Sequence, residues 1–156
     1  FILRNVRKDL FQFTQNIKKK NIIGLHIRGG DYLNKKNSKT YHNLDHTYYK
    51  SAITEINKIY KVDEIHVYSD DLIHSKKIID KIKTNIKVFF CDEMKFSDLE
   101  EFHALQQYKY IVISNSTFSW WAAYLNSNKE CLFAPKYWYK NKKIDNGKLI
   151  NQMKLL

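Results

Sequence analysis

Asn21-Ile22-Ile23-Gly24-Leu25-His26-Ile27-Arg28-Gly29-Gly30-Asp31-Tyr32 is an apolar, β-branched run that stops at a charged turn carrying two adjacent glycines. Ile22 to Ile27 reads as a strand. The glycine pair lets the backbone turn tightly behind it. The segment beyond the turn sets the fold class. Asp45 is placed to cap a helix running to about Tyr60, with Tyr48, Ala52, Ile56 and Ile59 on one face. A second apolar run then begins at Glu64. A strand, a helix-sized crossover and another strand form a parallel pair when both lie in one sheet.

The alternation continues along the chain. Further strands are expected at Glu64 to Ser69, Ile86 to Phe90, Tyr110 to Ser114 and Cys131 to Ala134. Between them lie helical patterns at about Leu72 to Ile82, from the capping box Ser97/Glu100 through about Gln107, and from a cap at Asn115 or Ser116 through about Leu125. Phe1 to Lys20 reads as an amphipathic helix ahead of the first strand. The expectation is an α/β fold, a Rossmann-like parallel sheet with helices on both faces. The loop from Gly29 to Leu44 is long for such a connection, and its place after the first strand favours a site.

With 156 residues, of which 44% are hydrophobic and 15% aromatic, the chain is long enough to bury a real core and too short for two comfortable domains, so residues 1–156 are read as a single domain. The start at Phe1, inside a helical pattern, reads as a cut through a larger protein. Cys91 and Cys131 sit in or beside apolar runs without metal-ligand spacing, and are expected to be buried and reduced. No run has the length of a membrane span, and no signal-peptide pattern is present. The net charge of +11 is spread over scattered lysines rather than a basic stripe with interleaved aromatics. That pattern argues against nucleic acid as a partner and favours an anionic ligand or an acidic membrane surface.

Three polar clusters fall at the ends of three strands, where open α/β sheets bind ligands. At the first, alternation puts His26 and Arg28 on one strand face. Gly30 belongs to the turn that lets backbone approach a phosphate, and Arg28 offers a planar fork of donors for a diphosphate. The competing reading pairs Arg28 with Asp31 to close the turn and makes His26 a core residue. At the second, Asp70 and Asp71 open a helix. Either carboxylate can accept from a guanine edge or a ribose hydroxyl, and one of them suits a helix N-cap. At the third, Asn115, Ser116 and Thr117 present hydroxyls and N–H groups at a helix N-terminus, which suits phosphate. The aromatic residues next along the chain can equally be core.

Together these clusters resemble the motifs of the α-1,2-fucosyltransferases of glycosyltransferase family 11. His26 to Tyr32 looks like the HxRRGDY motif, and Ser69-Asp70-Asp71 like the second motif. Ser114-Asn115-Ser116-Thr117-Phe118-Ser119-Trp120-Trp121-Ala122-Ala123-Tyr124-Leu125, followed by Phe133 to Trp138, looks like the third. The resemblance covers roughly Asn21 to Trp138, and the combination is far more specific than any one motif.

It implies one half of a GT-B enzyme, the C-terminal donor-binding half, with an acceptor half to its N-terminal side. It also implies inverting, metal-independent transfer of fucose from GDP-fucose to a hydroxyl of a galactose-terminated glycan, without a cofactor. Carried over by similarity, His26 and Asp70 contact guanine or ribose, and Arg28 with Ser116 and Thr117 contacts the phosphates. Gly30, Asp71 and Asn115 join the donor site. Arg28 and Asp31 are the expected catalytic pair, with Asp31 orienting the loop. The expected location is the cytoplasm or, peripherally, the cytoplasmic face of the membrane, with an anchor upstream of Phe1 left open. The sequence departs from the motif at Gly29, which stands where the second arginine is usual, and Lys35 or Lys36 is a candidate to replace that charge.

Two alternatives accompany this reading. One is a non-catalytic nucleotide- or carbohydrate-binding remnant. The other is a metal-dependent transferase using Asp70 and Asp71, although adjacent acids need not converge on one ion.

Overall fold

The computed structural model describes residues 7–141 and 153–156. Helix α1 (Lys8–Lys19) precedes strand β1 (Ile22–Ile27), and α2 (His46–Tyr60) leads to β2 (Glu64–Ser69). Then come α3 (Leu72–Ile82), β3 (Lys87–Phe90), α4 (Asp98–Leu105), β4 (Tyr110–Val112), α5 (Thr117–Leu125), β5 (Cys131–Ala134) and β6 (Met153–Leu155). The sheet order is β3-β2-β1-β4-β5-β6, and every neighbouring pair is parallel. This is the Rossmann-like α/β arrangement expected from the sequence.

Side-chain alternation along the strands builds two cores. Ile23, Leu25 and Ile27 point with Ile65, Val67 and Val112 toward α2 and α3, where they meet Tyr49, Ala52, Ile56 and Ile79. Ile22, Tyr68, Ile111 and Leu132 point the other way, onto Leu10 and Ile17 of α1, Leu105 of α4 and Ala122 of α5. Every residue of β1 is buried, because the strand is covered on both faces and has a neighbour on each edge. Burying each such Ile or Leu contributes about 1.5–3 kcal/mol relative to leaving it in water.

The helix starts follow the expected caps. The Asp45 carboxylate accepts from Thr47 N–H, and Ser97 and Glu100 form a reciprocal capping box. Of the two adjacent acids at the end of β2, Asp71 is the cap, accepting from His74 N–H at 2.9 Å. Ser116, not Asn115, is the N-cap of α5, and its side chain makes no capping hydrogen bond. Cys91 and Cys131 are buried free thiols, as expected.

Some details differ from the sequence reading. Ile59 is 60% exposed, because the buried stripe of α2 runs through Tyr48, Tyr49, Ala52, Ile53 and Ile56 and has turned away by the last turn. β3 starts at Lys87 rather than Ile86, β4 ends at Val112 rather than Ser114, and α4 ends at Leu105. The first helix starts at Lys8, and the part of its expected range over residues 1–6 lies outside the described residues. Strand β6 was not expected. It pairs through Met153, Lys154 and Leu155 with Leu132, Phe133 and Ala134. No helix among the described residues is long and apolar enough to cross a membrane.

Candidate functional site

The winding of the sheet reverses between β1 and β4. The chain runs outward from β1 to β3, then returns through α4 to the other side of β1. At such a reversal the connections leave in opposite directions and open a crevice at the carboxyl ends of the strands. The residues that end β1, β2 and β4 meet there.

His26 is 4% exposed, and its Nδ1 lies 2.7 Å from Ser114 Oγ, a link between the ends of β1 and β4. Its ring also sits 5.6 Å from the ring of Phe118, in the first turn of α5. Burial, with the positive charge of Arg28 nearby, holds the imidazole pKa down at about 3. It is therefore neutral at physiological pH and acts as a hydrogen-bonding group rather than a cation.

Arg28 lies between two carboxylates. Its Nη2 donates to Asp31 Oδ1 at 2.6 Å, and its Nη1 lies 3.0 Å from Asp70 Oδ2. The guanidinium also stands 5.0 Å from the centre of the Tyr32 ring. Asp70 accepts from Gly29 N–H through its other oxygen, at 2.9 Å, so one carboxylate holds both the side chain and the turn next to it. Gly30 has φ +46°, in the left-handed region, and an added Cβ would run into the Asp70 carboxylate. At Gly29 an added Cβ would lie 2.6 Å from the Cβ of Asp71. The two glycines thus let the end of β2 close onto the end of β1. Lys35 and Lys36 are exposed on the loop beyond.

The loop after β1 folds through two short 3-10 turns, Gly30–Leu33 and Asn37–Lys39, and is then strapped to the segment after β5. Tyr41 and Tyr139 form an antiparallel bridge, and His42 N–H donates to Trp138 O at 2.9 Å. Buried Asn115 closes the strap, its amide nitrogen donating to His42 O at 2.8 Å and to Trp138 O at 3.0 Å. The rings of Tyr32, Tyr41 and Tyr139 stack in series, 4.2 and 5.4 Å apart. Burial, ahead of the nearby Tyr41, pushes the Tyr32 phenol up to about 12, so it stays a neutral donor.

The structure therefore gathers His26, Arg28, Gly30, Asp31 and Asp70 around one turn. It commits the Asp71 carboxylate to the cap of α3 and the Asn115 amide to backbone carbonyls. Ser116 is buried at the start of α5, and Thr117, the first helical residue, is exposed. Without a side-chain cap, the first N–H groups of α5 are available to an anion. Asp70 and Asp71 share no partner, one facing Arg28 and Gly29 and the other His74 N–H. Sequence reasoning quoted Ser114 in the third cluster without giving it a role, and missed Tyr41 and Tyr139. The only signal for the two tyrosines was aromatic enrichment in the long loop and after Pro135.

The buried imidazole has a measurable consequence. The unfolded chain takes up a proton near pH 6.5, whereas folded His26 resists it down to about 3. Stability is thus held above about pH 6.5 and lost as pH falls through that window, with a limiting slope of about 1.4 kcal/mol per pH unit for one proton. His66, also lowered by burial, acts in the same direction. Urea midpoints measured from pH 7 to pH 4 are expected to fall, and His26→Asn to flatten the fall. An equally steep profile in the variant would remove His26 as its source.

The model of Glycosyl transferase family 11 matches residues 1–153. The chain is 31% identical over 140 residues to the O-antigen biosynthesis glycosyltransferase WbnK of Escherichia coli, an alignment covering 88% of this chain and 46% of that protein. It is 27% identical over 147 residues to an alpha-1,2-colitosyltransferase of Escherichia coli, covering 90% of this chain and 49% of that protein. The chain spans about half the length of these relatives.

Proposed function

Since the chain belongs to glycosyl transferase family 11, we propose that it is the donor-binding part of an enzyme that transfers L-fucose from GDP-fucose to a galactoside hydroxyl in α-1,2 linkage, with inversion and without a metal. The observation that carries this reading is the Arg28 guanidinium at the winding reversal, held by Asp31 and Asp70, on the strand whose His26 reaches Ser114 and Phe118 at the uncapped start of α5. The helix N-terminus is one source of positive potential, and Arg28 becomes a second when a diphosphate displaces Asp31 from it.

In the proposed mechanism the diphosphate takes the place of Asp31 as a partner of Arg28. Asp31 is the more exposed of the two acids and lies on the loop rather than beside a strand. The Thr117 N–H and the Ser116 hydroxyl donate to phosphate oxygens, the Ser116 N–H being already given to Ser114 O at 2.9 Å. Asp70 and His26 read the nucleoside, the neutral imidazole through Nε2, since its Nδ1 is engaged by Ser114. As the acceptor hydroxyl attacks C1 of fucose, the bond to the β-phosphate oxygen breaks and its electron pair leaves with GDP. Arg28 and the helix N–H groups stabilise the growing charge. A general base takes the acceptor proton, and an acceptor-binding half N-terminal to this chain supplies the rest of the cleft.

Titration of the chain with GDP, UDP and ADP by calorimetry tests the donor assignment. GDP is expected to bind at least tenfold more tightly than the other two, and equal affinity for UDP would remove it. The name of the 27%-identical relative favours colitose in place of fucose as a second reading. Assays of the full-length enzyme with both GDP-sugars separate the two, and retention of activity in EDTA is expected in either case.

A further inference from the structure

The segment leading into α2 and the segment after β5 enclose a second recess at the carboxyl edge of the sheet. Its volume is about 500 Å³, with Asn43, Leu44, Asp45 and Ser51 on one side and Pro135 and Tyr137 on the other. Arg28, His26 and Asp70 take no part in its lining. The size falls within the range of small-molecule sites.

Its chemistry differs from that of the Arg28 crevice. Leu44, Pro135 and the Tyr137 ring give it an apolar wall, while Asn43, Asp45 and Ser51 give it hydrogen-bonding groups at the rim. The Asp45 carboxylate is fixed in place by Thr47, accepting from its N–H at 2.9 Å and from its hydroxyl. Those hydrogen bonds lower its pKa and keep it ionised. The one ammonium in the lining, Lys136, stands 5.4 Å from the Tyr137 ring centre. Asp45 and Lys136 are the charged side chains of the lining, one of each sign, so the recess has no concentrated positive charge for a phosphate. An apolar wall facing a hydrogen-bonding rim matches a pyranose, whose C–H face lies on an aromatic ring while its hydroxyls reach carboxylate, amide and hydroxyl groups.

The recess is mechanically tied to the Arg28 crevice. His42, part of its lining, belongs to the strap that Asn115 closes, and the stacked series Tyr139, Tyr41, Tyr32 leads from that strap back to Arg28. We propose that this recess is a saccharide subsite that takes a neutral hexose unit of the acceptor glycan. The proposal rests on the glycosyltransferase reading above and assigns to this half of the enzyme a share of acceptor recognition.

The test uses lactose as the saccharide probe and GDP as the nucleotide probe, on the same preparations. Saturation-transfer NMR titration follows lactose, and calorimetry follows GDP. Ser51 is exposed on α2, so Ser51→Trp fills the recess from its rim without entering either core. Ser51→Trp is expected to weaken lactose binding at least tenfold, and Asn43→Ala about three- to tenfold. GDP affinity and melting temperature are expected to stay unchanged in both. If Ser51→Trp fails to fold, Asn43→Ala alone decides. Unchanged lactose affinity in the folded variants overturns the proposal. So does parallel loss of GDP binding, which would make the recess part of the nucleotide site, or GDP binding without lactose binding by the unaltered chain. Lactose binding without GDP binding instead overturns the donor assignment and leaves the saccharide site standing.

Discussion

Arg28→Ala in the full-length enzyme is expected to lower turnover by a factor on the order of a hundred to a thousand, the scale for losing one preorganised donor to a developing oxyanion. The effect on donor affinity is expected to be smaller, because the contact strengthens as the leaving phosphate gains charge. Arg28→Lys is expected to recover only part of the rate, since an ammonium cannot reproduce the two-pronged grip now made on Asp31 and Asp70. The same ion pairs define the competing outcome. If Arg28 served only to hold the turn, its removal would leave Asp70 and Asp31 facing each other and lower the melting temperature without changing the rate per folded molecule. Measuring turnover and melting temperature on one preparation separates these outcomes.

The second large effect is expected at Gly29. Restoring the arginine usual at this place in the resembled motif is expected to damage the protein, although it adds a cation to the proposed diphosphate site. Before the guanidinium reaches anything, its Cβ meets the Cβ of Asp71 at 2.6 Å and the His74 ring at 3.2 Å. Relief requires the start of α3 to move. Overpacking of this kind costs about 1–3 kcal/mol, and a weakened Asp71 cap adds about 1 kcal/mol. A melting temperature lower by roughly 5–15 °C is expected for Gly29→Arg, using about 2–4 °C per kcal/mol for a domain of this size. Gly29→Ala is expected to show most of that loss, because the collision lies at the first side-chain carbon. An unchanged melting temperature with tighter GDP binding in Gly29→Arg would overturn this account.

The strands were legible because five of them are apolar runs of strand length separated by helix-sized segments. The helix starts at His46, Leu72 and Asp98 were legible because Asp45, Asp71 and Ser97 advertise them chemically. Strand β6 was not, since its three residues gain strand character only from pairing with β5. At the site, the strand-end clusters could be placed from sequence, but not the division of labour within them. Asp70 and Asp71 are adjacent acids, and only the path of the turn decides that one grips Arg28 while the other caps α3. The strap was invisible for a different reason. Asn115 acts on carbonyls 73 and 23 residues away, and no local pattern encodes such a pairing.

The bond from His26 to Ser114 joins residues 88 positions apart. β1 and β2 can pair earlier, because the segment between them closes a shorter loop than the one that reaches β4. β4 reaches the other side of β1 only after α3, β3 and α4 have been laid down, and non-local pairings of this kind form late and slowly. The crevice proposed to bind nucleotide is thus absent from any partly folded state holding only the β1–β2–β3 side of the sheet. On that proposal nucleotide binding reports that the two sides have joined, and a nucleotide present during refolding is expected to stabilise the fully assembled chain selectively.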